Sequence, residues 1–257
     1  MKYFISSDIH GFYDEWIKAL KEKQFNINNP AHKIIVCGDL FDRGLQSKQL
    51  QAFVVELISK DKLILIRGNH EDLLLNIINS WHKKSYLEWH HNANGTVDTV
   101  LQLTGSKMSD IYDNPIDVYR KMKDTPFMQK ILPEMVDYFE TKNYIFVHGW
   151  IPCYTLGEGR HVEKFFYNED WRNASKEEWR NARWYNGMEA ACQGVIEPNK
   201  TIVCGHWHSS YGHAKIHGKG TEFGKDANFS PYKAKGVLAI DACTAVSGKV
   251  NVVVLED

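Results

Sequence analysis

Short apolar runs that stop abruptly at metal-ligating side chains recur along this chain, and they limit what it can fold into more than any other feature. The strings are Ser7-Asp8-Ile9-His10-Gly11, Gly38-Asp39-Leu40-Phe41-Asp42-Arg43-Gly44, Gly68-Asn69-His70-Glu71, Val147-His148-Gly149 and Gly205-His206-Trp207-His208. Each follows residues rich in Ile and Val, the pattern of a buried strand. Carboxylates, imidazoles and an amide delivered from successive strand ends suit a two-metal hydrolytic centre, because one carboxylate can bridge two cations while the others hold each ion separately.

The rest of the pattern is consistent with that frame. Strands are expected over 2–6, 33–37, 62–66, 144–147, 201–204, 236–240 and 250–255, with helical periodicity over 12–23, 47–59 and 71–79 between the early ones. Such alternation predicts βαβ units and a largely parallel sheet in an α/β fold. Longer, polar, aromatic-rich sequence over about 81–141 reads as a helical insertion lying over the sheet. A second insertion, about 151–200, carries Trp171, Trp179, Trp184 and Tyr185 among basic side chains. From Val237 onward, period-two alternation predicts antiparallel hairpins that complete a second sheet. Residues 1–257 read as one domain with these two insertions, and 43% hydrophobic content supports an ordinary core.

Bulk properties exclude some partners. A formal net charge of -1 and a pI near 6.9 give no electrostatic footprint for sequence-independent nucleic-acid binding, so a nucleic-acid partner is not expected. The first strand is expected to begin almost at Met1, so no signal peptide is expected. No run approaches the ~20 apolar residues of a spanning helix, so the expectation is a cytoplasmic protein with no membrane partner. Cys37 and Cys204 close apolar runs and read as core. Cys153, Cys192 and Cys243 have no C-x-x-C spacing.

Asp8 and His10 stand two apart where a strand gives way to a turn, and both can face one cation. Alone, that pair is more often a strand-end turn with an Asp cap; the other strings reverse the balance. Asp39, after its strand and Gly38, reads as the bridging carboxylate. Arg43 offers the fork geometry that grips phosphate. Asn69 supplies a neutral oxygen to the second metal, and His70 is the natural proton donor to a leaving alkoxide, with Asp42 to orient its ring. His148 and His206 are assigned to the second metal, and His208, two residues beyond, to the first. His32, His82, His90, His91, His161, His213 and His217 lack the strand-end setting and are read as surface residues.

In this order the motifs resemble the calcineurin-like metallophosphoesterase superfamily. Asp-Arg-Gly and Gly-Asn-His-Glu are similar to its phosphoprotein phosphatase branch, whose bacterial members include phosphoprotein phosphatases of the phage lambda type and symmetrical diadenosine tetraphosphatases. Ile240-Asp241-Ala242-Cys243 through Ser247-Gly248-Lys249-Val250 is similar to the family's closing Ile-Asp-Thr-Gly hairpin. The resemblance implies a four-layer α/β/β/α sandwich. It also implies Asp8, His10 and Asp39 as ligands of one metal, Asp39, Asn69, His148 and His206 as ligands of the other, Arg43 as a phosphate contact, and Asp42 with His70 as the acid dyad. Three departures stand out: Ser7 where Gly is usual, Trp150 after His148-Gly149, and Gly-His-Trp-His where the branch has Gly-His-Thr. The last is the form of the wider superfamily, whose second His binds the first metal, and it makes His208 an additional ligand. Trp150 bears on the shape of the substrate pocket. The family's further phosphate-gripping arginine is assigned to Arg183, beside Trp184, with Arg160, Arg172 and Arg180 as alternatives.

The expected reaction is direct attack by a hydroxide shared between two cations, with His70 protonating the departing oxygen. The mixed donor set suits Mn²⁺, with Fe or Zn as alternatives. The expected substrate is a phosphorylated protein of the Ser/Thr type. The alternative is a bis(5'-nucleosyl)-tetraphosphate or another nucleotide phosphohydrolase or phosphodiesterase substrate, for which Trp81, Tyr86, Trp89, Trp184 and Tyr185 would supply stacking faces, although core of the helical insertion is the more frequent place for such aromatics. A catalytically silent metal-binding scaffold is the reading from another class, and the complete ligand set argues against it.

Overall fold

The computed structural model describes residues 1–81, 87–157 and 162–257. Its first sheet runs β12-β1-β2-β3-β4, from β1 (Lys2–Ser6), β2 (His32–Cys37), β3 (Leu63–Ile66), β4 (Met135–Val136) and β12 (Val253–Glu256). β1 to β4 are parallel, and β12 is antiparallel to β1. The crossovers are α1 (Tyr13–Glu22), α2 (Ser47–Ser59) and α3 (Asn69–Ser80), which turn Trp16 and Leu20, Leu50, Val54 and Leu57, and Leu74, Ile77 and Ile78 inward. Those spacings of three and four place each set on one helical face.

The second sheet runs β10-β11-β9-β6-β5, from β5 (Phe139–Glu140), β6 (Tyr144–Phe146), β9 (Thr201–Cys204), β10 (Tyr232–Ala234) and β11 (Val237–Ala239). β6 and β11 both run parallel to β9. Strand alternation then divides the core into layers. Phe4, Ile34, Val36 and Leu65 pack on the helices, whereas Ile5, Ile35, Cys37 and Ile66 meet Phe146, Val203, Leu238 and Ile240 of the other sheet. On the far side, Ile145, Ile202 and Ala239 face Trp150, Trp171, Trp179 and Met188. Side chains that are buried on both faces explain why these strands read as continuous apolar runs, and each fully buried Ile or Phe contributes about 1.5–3 kcal/mol. The result is the four-layer α/β/β/α sandwich. Among the described residues, no helix is long and apolar enough to cross a membrane.

The first insertion is helical as expected, through α4 (Trp89–Ala93), α5 (Thr96–Thr104), α6 (Met108–Asp113) and α7 (Pro115–Lys123). Its end is not: β4 and β5 lie there, strands of two residues that show no periodicity. The second insertion holds a hairpin of β7 (Tyr154–Leu156) and β8 (Lys164–Phe166), then α8 (Lys176–Ala182) and α9 (Gly187–Cys192). The short helices α10 (Ser209–Tyr211) and α11 (Thr244–Ser247) follow β9 and β11. The closing hairpins need correction. β11 pairs antiparallel only with β10, and β12 leaves for the first sheet. Alternation along a strand reports which residues are buried, not which sheet buries them.

Candidate metal centre

Because β1, β2, β3, β6, β9 and β11 run in parallel sets, the residues just after them meet at one rim of the sandwich. Asp8 and His10 follow β1, Asp39 and Asp42 follow β2, Asn69 and His70 open α3, and His148, His206 and Asp241 follow β6, β9 and β11. The turns are tight enough to force side-chain-bearing residues into the left-handed region: φ is 52° at Asp8, 51° at His10, 56° at Asp39, 75° at Asp42 and 65° at His206. Each costs on the order of 1–3 kcal/mol and persists only where the surroundings over-determine it. Here Asp8 N–H donates to the Gly38 carbonyl at 3.2 Å, His10 N–H to Asp39 at 3.0 Å and Gly44 N–H to His10 at 2.8 Å. Any Cβ at Gly68 would collide with the Asp39 carboxylate, and one at Gly205 with Ser7 and Asp8.

Asp39 is the hub. Its Oδ2 lies 3.4 Å from His148 Nε2, 3.7 Å from His10 Nε2 and 3.9 Å from His70 Nε2. Asp8 Oδ1 is 3.8 Å from His10 Nε2, and Asn69 Oδ1 is 2.7 Å from His148 Nε2. Two groups can therefore close on a cation, His10 with Asp39 and His70, and Asp39 with His148 and His206, the ligand atoms of each within 4.8 Å of one another. The far ring nitrogens are tied back: His10 Nδ1 donates to the Phe41 carbonyl at 2.9 Å and His148 Nδ1 to that of Cys37 at 2.8 Å. That leaves Nε2 of both rings facing Asp39, the orientation that metal-binding histidines need.

The charges fit a cation as well. Burial pushes Asp8 up, and Asp39 adds to it; burial and then Asp8 push Asp241 well up; burial and then Asp39 push Glu71 to about 7. Burial would lower His148, but Asp39 and Asp8 outweigh it and hold the ring at about 10. Burial and the neighbouring His148 lower His206 to about 3. Packed carboxylates short of positive charge, beside imidazoles whose free nitrogens converge, form a donor set suited to divalent ions. A proton and a metal compete for the same lone pair at such a nitrogen.

Next to the hub, His70 Nδ1 lies 2.7 Å from Asp42 Oδ2. Asp42 is itself held by Thr96 Oγ1 and Thr99 Oγ1, each donating at 2.8 Å, while Asp42 N–H donates to Thr99 at 2.9 Å. Burial pulls His70 down, and Asp39 with the bonded Asp42 more than reverses it, so the ring is raised. The exposed Arg43 brings Nη2 to 3.5 Å from His70 Nε2. A carboxylate, an imidazole and a guanidinium thus face one space.

Some expectations fail. His208 joins neither group: its Nδ1 lies 2.9 Å from Ser210 Oγ and its Nε2 3.3 Å from Glu222. The extended spacing that would align it with His206 breaks because the chain turns into α10 at Ser209. Arg183, 7% exposed, is spent on Asp72 at 2.6 Å and on Asp137. Arg172 is spent on Glu140 and Glu197, and Arg180 is exposed at the α8 end. Trp150 does not shape the rim; it is buried in the outer core, with Nε1 donating to the Val195 carbonyl at 3.2 Å. His91 is 0% exposed and not a surface residue, because α4 turns it inward. Of the aromatics, Trp81 takes the core place that is usual for such side chains, whereas Trp89, 83% exposed, does not. Tyr86, Arg160, His82 and His161 lie outside the described residues.

Other site residues were not foreseen. Glu71 accepts from the backbone N–H of Gly68 at 2.8 Å, Leu40 at 2.9 Å and Asp39 at 3.1 Å, pinning the second string to the third. The signal was present, since Glu71 closes its own string. Asp241 carries the same signal, an Asp directly beyond a strand. It borders a cavity of about 220 Å³ together with Arg43 and His206. Phe165, Trp184, Tyr185 and Trp207 also line the cavity, and Trp184 stands edge-on to the His206 ring at 5.7 Å. Arg43 is the arginine that lines it among the described residues.

The sequence pattern that defines the calcineurin-like phosphoesterases matches residues 1–210. The chain belongs to this family. Among its relatives, this calcineurin-like phosphoesterase is 36% identical over 76 residues to an asymmetrical bis(5'-nucleosyl)-tetraphosphatase of Bacillus velezensis, covering 27% of this chain and 30% of the relative. It is 36% identical over 69 residues to a symmetrical bis(5'-nucleosyl)-tetraphosphatase of Buchnera aphidicola, covering 27% of this chain and 23% of the relative. The matches thus span less than a third of these relatives' own length. In fold it resembles the cold-active protein-tyrosine phosphatase of a psychrophilic Shewanella, with a TM-score of 0.55, 16% identity and coverage of 100% of this chain and 75% of that one. That likeness concerns the fold alone.

Proposed function

We propose that this calcineurin-like phosphoesterase is a hydrolase dependent on two divalent cations, and that its substrate is a nucleotide-type phosphate, a bis(5'-nucleosyl) polyphosphate. The observation that carries the reaction is the Asp42–His70 pair, 2.7 Å apart beside the Asp39 hub. Asp8, His10 and Asp39 would hold one cation, and Asp39, Asn69, His148 and His206 the other. Bound there, the cations would neutralise phosphoryl charge and acidify the attacking water, and Mn²⁺ suits the oxygen and nitrogen donors, with Fe or Zn as alternatives.

The protein's own groups supply the rest. Arg43 grips the phosphoryl oxygens that the in-line attack turns outward. His70 gives its Nε2 proton to the departing oxygen as the P–O bond breaks, and Asp42 steadies the ring by its Nδ1. Strained turns hold these groups without rearrangement, so the geometry is set before substrate arrives.

For the substrate class, the relatives' names and the aromatic walls of the cavity support a nucleotide. The Ser/Thr phosphoprotein reading is the rival, favoured by the Asp-Arg-Gly and Gly-Asn-His-Glu strings. Purified protein with added Mn²⁺, assayed against a phosphopeptide, a dinucleoside tetraphosphate and p-nitrophenyl phosphate with a chelated control, separates the two. Chelator-sensitive turnover of the dinucleotide at least tenfold above the phosphopeptide is the expected result. The reverse order would install the phosphoprotein reading, and no turnover of any would sink the hydrolase.

A further inference from the structure

We propose that Ser7 is a positioning residue for the first cation, and that by confining Asp8 to coordination through one oxygen it makes that position select smaller cations such as Mn²⁺ over Ca²⁺. This selectivity rests on the two-cation reading above and concerns which ion the first position accepts. Ser7 carries a buried hydroxyl for which the reaction has no use. It is 1% exposed and stands where the phosphoprotein phosphatase branch usually has Gly. The fold makes room for it, since any Cβ at Gly205 would collide with Ser7 Oγ. A buried hydroxyl costs free energy unless it is answered, and the groups that answer this one lie within the candidate metal centre.

Ser7 Oγ donates to Asp8 Oδ2, and the His206 backbone N–H donates to the same oxygen at 2.9 Å. The Cys37 carbonyl, 3.2 Å from Ser7 Oγ, is the competing acceptor. That carbonyl is neutral and already receives His148 Nδ1 at 2.8 Å, so the single Ser7 proton goes to the carboxylate, the stronger acceptor. An ionised carboxylate carries about four lone-pair sites, two on each oxygen. Both sites of Oδ2 are thereby taken. Oδ1 is the oxygen that faces His10 Nε2, at 3.8 Å, and no hydrogen bond engages it among the described residues. Burial weighs most heavily against the ionised form of Asp8, and the bonds from Ser7 and His206 are among the influences that oppose it. The two donors thus sort the carboxylate into one oxygen held by the protein and one left for an ion.

Cations differ in what they make of that arrangement. Ca²⁺ takes roughly 6–8 oxygens at 2.3–2.6 Å and accepts both oxygens of a carboxylate. The first position would offer it one oxygen of Asp8, one of Asp39 and a nitrogen of His10, a poor set for so large an ion. Mn²⁺ is smaller and is met by those mixed donors. Without the Ser7 hydroxyl, a lone pair of Oδ2 is released, and the carboxylate can turn about its Cβ–Cγ bond to present both oxygens. Its hold as a one-oxygen ligand loosens at the same time.

Calorimetric titration of the metal-free full chain with Mn²⁺ and with Ca²⁺ tests this in the parent, Ser7→Ala and Ser7→Gly, with Asp8→Asn to identify the first position as the one it empties. The two Ser7 variants remove the same hydroxyl with and without the Cβ, so a change common to both belongs to the hydroxyl. The Mn²⁺ Kd of the first position should rise about 10–100-fold, as on loss of an outer partner of a ligand, while its Ca²⁺ Kd holds or falls. The preference for Mn²⁺ over Ca²⁺ should therefore shrink at least tenfold, with the Mn²⁺ Kd of the second position unchanged. No such preference in the parent, or one that stays within threefold of the parent's in both variants, overturns the inference and leaves the two-cation reading standing. An equal loss of Mn²⁺ at both positions also overturns it, since the hydroxyl then serves packing alone. A parent chain that binds neither ion removes the two-cation reading itself, and the inference with it.

Discussion

Asp42 has both of its oxygens occupied, by His70 and Thr96 on one and by Thr99 on the other, so its orientation is fixed from three sides. Thr99→Val removes one donor and the acceptor of the Asp42 N–H while keeping the shape. It should lower kcat about 10–100-fold, as loss of an outer-shell partner does, with KM and bound Mn²⁺ unchanged. A fall in metal content would instead tie Thr99 to the cation cluster. His70→Ala should cost about 10²–10⁴ in kcat, the range for a general acid, with both metals retained; loss of a metal would make His70 a ligand, as its distance to Asp39 permits. At this scale the proposed ligands were legible because each lies within a few residues of a strand end. The threonines were not, since Thr96 and Thr99 lie 54 and 57 positions from Asp42 and become its partners only when α5 docks. His208 and Arg183 misled for a related reason: a local string reports where the backbone goes, and neither a turn into α10 nor a waiting Asp72 is written beside them.

Among elements, one charged network joins parts that share no sheet hydrogen bonds. Arg172, from the short helix Trp171–Asn173, donates to Glu140 of β5 at 3.0 and 2.7 Å and to Glu197 at 2.8 Å, and Lys200, ahead of β9, reaches Glu140 at 2.7 Å. The bonds from Arg172, and then those from Lys200, hold the Glu140 carboxyl down at about 2. A depressed carboxyl stabilises the fold above its ordinary value near 4.5, and that contribution is lost as pH falls toward 2. Allowing for the partial exposure of Arg172, it amounts to on the order of 1–2 kcal/mol. Glu140→Gln should therefore lower the Tm at pH 7 and leave it unchanged near pH 2; thermal unfolding across that range checks it, and a Gln variant as stable as the parent at pH 7 would remove the network's role. β5, like β4 and β10, escaped the sequence reading, because Met135–Val136, Phe139–Glu140 and Tyr232–Ala234 lack the apolar run that ends at a ligand-bearing string and marks the equally short β6 and β11. The long crossovers α1 to α3 did not escape it, since each carries a full apolar face.

For the molecule as a whole, the candidate centre takes Asp8, His10, Asp39 and Asn69 from one sheet and His148 and His206 from the other, so bound cations would clamp the two sheets together. Saturating Mn²⁺ at about 100 times its Kd should add about 2.7 kcal/mol, raising the Tm by roughly 5–10 °C for a chain of this size. Chelation should reverse the rise, and Asp39→Asn should abolish most of it; a Tm indifferent to Mn²⁺ would count against the clamp. The four layers were implied by the family resemblance that the motifs carry, whereas the partners of the closing strands were not legible, since long-range pairing leaves no local mark. That pairing also sets a timetable. β1 lies between β2 and β12, in register Lys2 with Glu256, so the first sheet keeps an open edge at β1 until β12 has been synthesised. An edge of that kind is a template for another chain, and closing so long a loop is slow. Refolding from dilute solution should thus outperform refolding at high concentration, with aggregation through the uncovered β1 edge as the competing reaction.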